Sequence, residues 1–164
     1  MKFFRPIIIA GLCFLPTAAL AATFSLPPKA PSLVNTIPDV LEPVDTIAGA
    51  EGASKETREF YVDLEPLKAL DLKAATDESL ANLDQQHGIS IDPESLKQQE
   101  GQINGISCVD LSFSVISGKE KSSLTLISPK PGIYFVLLEF GSEEWLGKND
   151  DIVKSIRESI HAVK

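Results

Sequence analysis

Hydrophobic and polar positions alternate most clearly at residues 106–116, with Val109, Leu111, Phe113 and Val115 on one face and Asp110, Ser112 and Ser114 on the other. A period of two is that of a strand with one covered face and one wet face. Asn104-Gly105 precedes this strand, and both residues tolerate the positive φ of a type I′ turn, which predicts a hairpin with a polar strand over residues 96–103. Downstream, Ser117-Gly118-Lys119 turns the chain into a strand at 122–128, and Pro129-Lys130-Pro131-Gly132 turns it again. Residues 133–140 are apolar at nearly every position, as in a central strand covered on both faces. Upstream, the aromatic and β-branched cluster at residues 58–64 reads as a strand ended by Pro66.

Two segments carry helical spacing. Thr76 is the expected N-cap of the first, with Asp77 and Glu78 in its first turn, Leu80 and Leu83 on one face and Gly88 as its stop. Leu67, Leu70 and Ala74 have the spacing of an earlier turn. In the second, Asn149 or Asp150 is the cap, and Ile152, Val153, Ile156, Ile160 and Val163 form one apolar stripe that must pack on the sheet. Strand, helix, several antiparallel strands and a closing helix predict an α+β fold, an antiparallel sheet packed by two or more helices.

The N-terminus reads differently. Lys2 and Arg5, the nine-residue apolar run 7–15 and Ala19-Leu20-Ala21 stand in the order of a secretory signal peptide, residues 1–21, with cleavage expected after Ala21 or Ala22. That run is far short of the roughly 20 residues a membrane-spanning helix needs, so no stable membrane insertion is expected after cleavage. Leu12 before Cys13 does not fit a lipoprotein signal. The expected location is periplasmic or secreted. Residues 22–54 hold Pro27, Pro28, Pro31, Pro38 and Pro43 and end in a Gly/Ala/Ser stretch, the composition of an extended linker or arm. Residues 33–37 and the pair Val40-Leu41 are apolar enough for such an arm to dock. The folded domain is then expected over residues 55–164.

Charge narrows the partners. The chain has 15 basic and 23 acidic residues, a net −8, and loss of Lys2 and Arg5 with the signal leaves 13 against 23, or −10. Such a surface repels phosphate backbones and anionic membranes, and the nearest basic cluster, Lys119-Glu120-Lys121, is partly neutralised within itself. The acidity suits solubility or a basic protein partner. Cys108 is the one cysteine beyond the signal, so no intramolecular disulfide is expected, and its strand-like setting suits a buried small hydrophobe.

Taken together, the Leu- and Ala-rich helix, the polar strand, the Asn104-Gly105 turn, the strand pair ending at Gly118, the run Gly132-Ile133-Tyr134-Phe135-Val136-Leu137-Leu138, the acidic loop and the helix bearing Ile156-Arg157-Glu158-Ser159-Ile160 resemble the PsbP/DcrB-like (Mog1-type) domain over residues 55–164. The resemblance implies an α/β/α sandwich whose opening strand pair is represented here by the single segment 58–64. It also implies a non-enzymatic accessory or binding domain, a fold with no shared catalytic constellation and many exported bacterial members of unassigned role.

Chemical motifs are few. The chain has no nucleophile elbow, no S-x-x-K pair, no H-E-x-x-H, no cysteine pair and no calcium loop. His87 stands before Gly88 at an expected helix C-terminus, and His161 beside the apolar stripe. Glu139, Glu143, Glu144, Asp150 and Asp151 are close in sequence, but a loop and the first turn of a helix account for the last four without a cation. No catalytic residue, cofactor or metal is expected. Trp145 with Leu146 is the candidate interaction patch, set against a role in sheet–helix packing. The expected function is an exported, non-enzymatic accessory or protein-binding domain acting on another envelope protein. The alternative is a carrier of a small ligand or lipid, with an apolar pocket between sheet and helices near Phe113, Phe135 and Leu137. A cleft holding His87 against a carboxylate would instead favour an enzyme.

Overall fold

A computed structural model describes residues 21–45, 49–55, 59–116 and 120–163; residues 1–20 of the expected signal peptide and the turn at 117–119 lie outside them. The chain opens with four short strands, β1 (Ala22–Leu26), β2 (Leu33–Ile37), β3 (Leu41–Asp45) and β4 (Ala50–Ser54), followed by β5 (Phe60–Leu67). Helix α1 (Leu72–His87) and a short 3-10 turn (Pro93–Ser95) lead to β6 (Lys97–Ile103), β7 (Ile106–Ser114), β8 (Glu120–Lys130) and β9 (Ile133–Ser142). Helices α2 (Glu143–Lys148) and α3 (Asp150–Glu158) and strand β10 (His161–Ala162) complete it. Seven strands form one antiparallel sheet in the order β3-β4-β5-β9-β8-β7-β6, and β1-β2-β10 form a second, smaller one.

The large sheet is the middle layer, and alternation along its strands builds a core on each side. Phe60, Val62, Leu64, Cys108, Ile127, Phe135 and Leu137 pack beneath the small sheet and α3, against Leu33, Ile37, Ile156 and Ile160. Val109, Leu111, Leu124, Leu126, Tyr134, Val136 and Leu138 pack on the opposite side against Ala75 and Leu83 of α1. Strand β9 supplies both cores, which is why its sequence is apolar at successive positions. The α+β class and the covering of both sheet faces agree with the sequence reading.

The largest correction concerns residues 22–54. They are neither linker nor arm: they form β1 to β4, with Leu26, Leu33, Ile37, Leu41 and Ala50 buried in the core, so the domain begins at the start of β1 rather than near residue 55. The prolines misled because each stands where a missing N–H costs little. Pro27, Pro28 and Pro31 lie in the connection between β1 and β2, Pro38 ends β2, and Pro43 is on the edge strand β3. Gly52 reflects close packing rather than flexibility, because a Cβ there would stand 2.8 Å from Ile37 Cγ2 of the small sheet. The opening strands, expected as the single segment 58–64, are therefore present upstream of it.

Smaller differences have local causes. Pro66 lies inside β5, at a stretch where pairing with β4 has already stopped at Leu64 and only β9 remains alongside. Helix α1 starts a turn earlier than Thr76, because the Asp71 carboxylate accepts from the Ala74 N–H at 2.8 Å, while Thr76 turns its hydroxyl back to the Leu72 carbonyl. Gly88 closes α1 at φ 65°, and Asn104 and Gly105 take φ 49° and 79° in the β6–β7 hairpin. The Asn104 Nδ2 also donates to the Glu158 and Ile160 carbonyls at 2.8 and 2.9 Å, tying that hairpin to the end of α3.

Candidate functional site

Strand β5 sends Phe60, Val62 and Leu64 to one face, so Tyr61, Asp63 and Glu65 face α1. Asp63 is only 6% exposed and stands opposite Glu51 of β4. Burial, then the charges of Glu65 and Glu51, push its carboxyl up to about 7, so it carries a proton for part of the time at neutral pH. Tyr61 is also pushed up, by burial first and by the charges of Asp63 and Glu51 after it. His87, the last residue of α1, lies with its ring centroid 6.2 Å from that of Tyr61. It borders a cleft of about 600 Å³ shared with Glu42, Glu51, Tyr61 and Phe140, and also a narrow crevice shared with Asp63, Ser79 and Asn82.

The structure thus brings His87 near carboxylates, the arrangement that would favour an enzyme. The details are those of a packed polar layer. Ser79, the hydroxyl in the crevice, donates to the Ala75 carbonyl at 2.7 Å. Among the described residues no hydrogen bond joins His87 to a carboxylate that would orient it as a base.

A second polar cluster lies under α3. Arg157 sends Nε to both Glu139 oxygens at 3.1 and 3.0 Å, Nη2 to Glu139 Oε2 at 2.5 Å and Nη1 to Asp110 at 3.0 Å. Thr125 donates to Asp110 and Ser123 to Glu139, so both carboxylates are shared between strand and helix. Burial alone would lower the guanidinium pKa, but the hydrogen bonds and charges of Glu139 and Asp110 outweigh it and raise it. Cys108 is buried beside this cluster, and burial followed by the charge of Asp110 pushes its thiol up, away from a reactive thiolate.

The other acidic positions separate. Glu143 pairs with Lys121 and Glu144 with Lys148, each at 2.6 Å, while Asp150 and Asp151 occupy the first turn of α3. Among the described residues no three His, Cys, Asp or Glu side chains converge on a metal position. Trp145 and Leu146 fall in α2, whose start is capped by Ser142 accepting from the Trp145 N–H at 3.1 Å. The indole stacks on Phe60 with centroids 4.3 Å apart and planes 7° from parallel. Both side chains pack on the core and keep part of their surface in solvent.

Two surface features remain. Strand β6 ends the large sheet, pairs only with β7, and is exposed at every residue from Lys97 to Gln102. Beside it Ser112 and Ser114 of β7 are exposed as well. At one end of the strands, the connection from β1 to β2 and the ends of β5 and β9 enclose a cleft of about 640 Å³. Sequence reasoning missed this cleft, because one wall of it, Pro27, Ala30, Pro31 and Ser32, comes from the proline segment that reads as an arm.

Comparison with known proteins defines the class through the fold. No protein-family pattern matches the chain, and no curated protein matches it by sequence. Among solved structures, cyanobacterial PsbP (CyanoP) from Synechocystis sp. PCC 6803 is similar over 94% of this chain and 99% of its own, with a TM-score of 0.64 at 12% identity. LpqN of Mycobacterium tuberculosis, described as involved in cell envelope biogenesis, is similar over 88% of this chain and 92% of its own, with a TM-score of 0.53 at 14% identity. The fold is PsbP-like. The 94% coverage extends the likeness beyond residues 55–164 into the four opening strands.

Proposed function

We propose that this chain is an extracytoplasmic accessory domain of the cell envelope that acts by binding another protein and catalyses no reaction of its own. The observation that carries this reading is β6, an edge strand exposed at every residue from Lys97 to Gln102. Its outer edge presents backbone donors and acceptors to which an extended segment can add as a further strand. Its polar side chains, Lys97, Gln98, Gln99, Glu100 and Gln102, disfavour self-association through a greasy edge. With a net charge of −8, the complementary partner presents a basic segment. LpqN's description as an envelope-biogenesis protein and the expected signal peptide support the location.

A photo-crosslinking residue placed at Gln99 in the exporting cell tests the reading, with Glu78 on the exposed side of α1 as the control position. An adduct to one polypeptide from position 99 and not from 78, reproduced with that polypeptide purified, is the expected result. Equal labelling from both positions, or none from 99, contradicts it.

The cleft at the ends of β5 and β9 supports a second reading, a small-ligand carrier. Its volume of about 640 Å³ lies within the usual range of ligand pockets. Of Phe113, Phe135 and Leu137, the residues expected beside such a pocket, only Phe135 lines it, because it opens at the ends of the strands rather than between the sheet and its helices.

A further inference from the structure

We infer that the cleft at the ends of β5 and β9 binds an anionic amphiphile, a single molecule with an apolar chain ending in a carboxylate or phosphate. The inference rests on the carrier reading and gives it a ligand class. Pro27, Pro31, Pro66, Leu67, Ile133 and Phe135 supply an apolar wall. Ile133 is partly exposed within it, and Leu70, just beyond the lining residues Lys68 and Ala69, is 95% exposed.

Inside this wall is a free hydroxyl. Ser32 lines the cleft, is buried, and its Oγ has no hydrogen-bond partner. Its backbone is fully engaged, since the Ser32 N–H donates to the Leu26 carbonyl at 2.8 Å and its own carbonyl accepts from the Val163 N–H at 3.0 Å. The side chain alone is left over, and a buried hydroxyl without a partner marks a place where a ligand atom can satisfy it.

Charge then selects the headgroup. Lys68 and Lys130 line the same cleft, and among the described residues neither has a carboxylate within ion-pair distance. Lys73, Lys121, Lys148 and Lys154 are paired, whereas Lys29, Lys55 and Lys97 are, among the described residues, without an ion pair like the two cleft lysines; what distinguishes Lys68 and Lys130 is that they stand together beside an apolar wall. Two unpaired ammonium groups on a chain of net −8, set at the rim of an apolar cleft, favour an anion attached to an apolar chain. A cationic amphiphile meets repulsion there, and a sugar meets no carboxylate to hold its hydroxyls.

Calorimetry and probe displacement with the purified protein decide the matter, using octanoate, decanoate, decyl phosphate, 1-decanol and decyltrimethylammonium. Decanoate and decyl phosphate are expected to bind at least about tenfold more tightly than the neutral or cationic decyl compounds. From octanoate to decanoate the affinity should rise about fourfold per methylene. Lys68→Glu with Lys130→Glu, both at exposed positions, should remove the anion preference without changing the circular dichroism spectrum, and Ser32→Ala should weaken decanoate severalfold. If 1-decanol binds as tightly as decanoate and the lysine variant is silent, the carrier reading stands and the anion inference falls. If no decyl compound binds, both fall. Binding to anionic phospholipid vesicles without binding of monomeric decanoate also overturns the inference.

Discussion

Arg157 holds two carboxylates that come from two different strands, Asp110 on β7 and Glu139 on β9, and so pins α3 to the sheet. Glu139 is only 4% exposed, and removing the guanidinium leaves that charge buried without compensation. Arg157→Ala should therefore destabilise the fold by about 3 kcal/mol or more in urea unfolding, and Glu139→Gln in the same background should recover part of the loss. Asp63 behaves in the opposite sense. Its folded pKa, raised from 3.8 to about 7, means that the folded chain keeps a proton the unfolded chain has released. Stability is consequently lost as pH rises from about 4 to 7, by an amount on the order of 2–4 kcal/mol. Asp63→Asn should flatten this slope, raising the melting temperature at pH 8 by several degrees and leaving it nearly unchanged at pH 4. Neither carboxylate was singled out for these roles from sequence, although each stands inside an apolar strand run, Asp63 in Phe60-Tyr61-Val62-Asp63-Leu64 and Glu139 in Val136-Leu137-Leu138-Glu139-Phe140. That placement is the available signal; the partners, 18 and 47 residues away from Arg157, are supplied only by the folded topology.

At the scale of the element, alternation and turn chemistry made β6 to β9 and the Asn104-Gly105 hairpin legible. Their contacts are mostly with sequence neighbours, so local pattern and tertiary structure agree. The opening strands were hidden because they are short, rich in proline and small residues, and are stabilised by distant elements. β4 pairs with β5, β2 takes β10 from the far end of the chain, and the Asn35 side chain donates to the Ile156 carbonyl at 3.2 Å. A fragment spanning 55–164 should accordingly fail to fold, because it exposes the core face that Leu33, Ile37 and Leu41 cover. Dispersed amide signals in its NMR spectrum would show that β1 to β4 are dispensable. Trp145 illustrates the same limit at smaller size. Its loop was visible, but the short helix α2 and the stack on Phe60 depend on where β5 lies relative to β9.

For the molecule as a whole, the described surface divides its roles by position. One edge of the large sheet is the open polar strand β6, the ends of β5 and β9 border an apolar cleft with two unpaired lysines, and Arg157 with Asp110 and Glu139 holds α3 to the sheet. This distribution underlies the account of a binding domain. Its most direct test is native mass spectrometry on the protein released gently from the exporting cell's envelope, compared with a Glu100→Lys, Gln102→Lys variant of the β6 edge. The account predicts a species joined to a second polypeptide in the native protein, replaced by monomer in the variant while its circular dichroism spectrum is unchanged. A bare monomer from both, or a complex indifferent to the two substitutions, would contradict it.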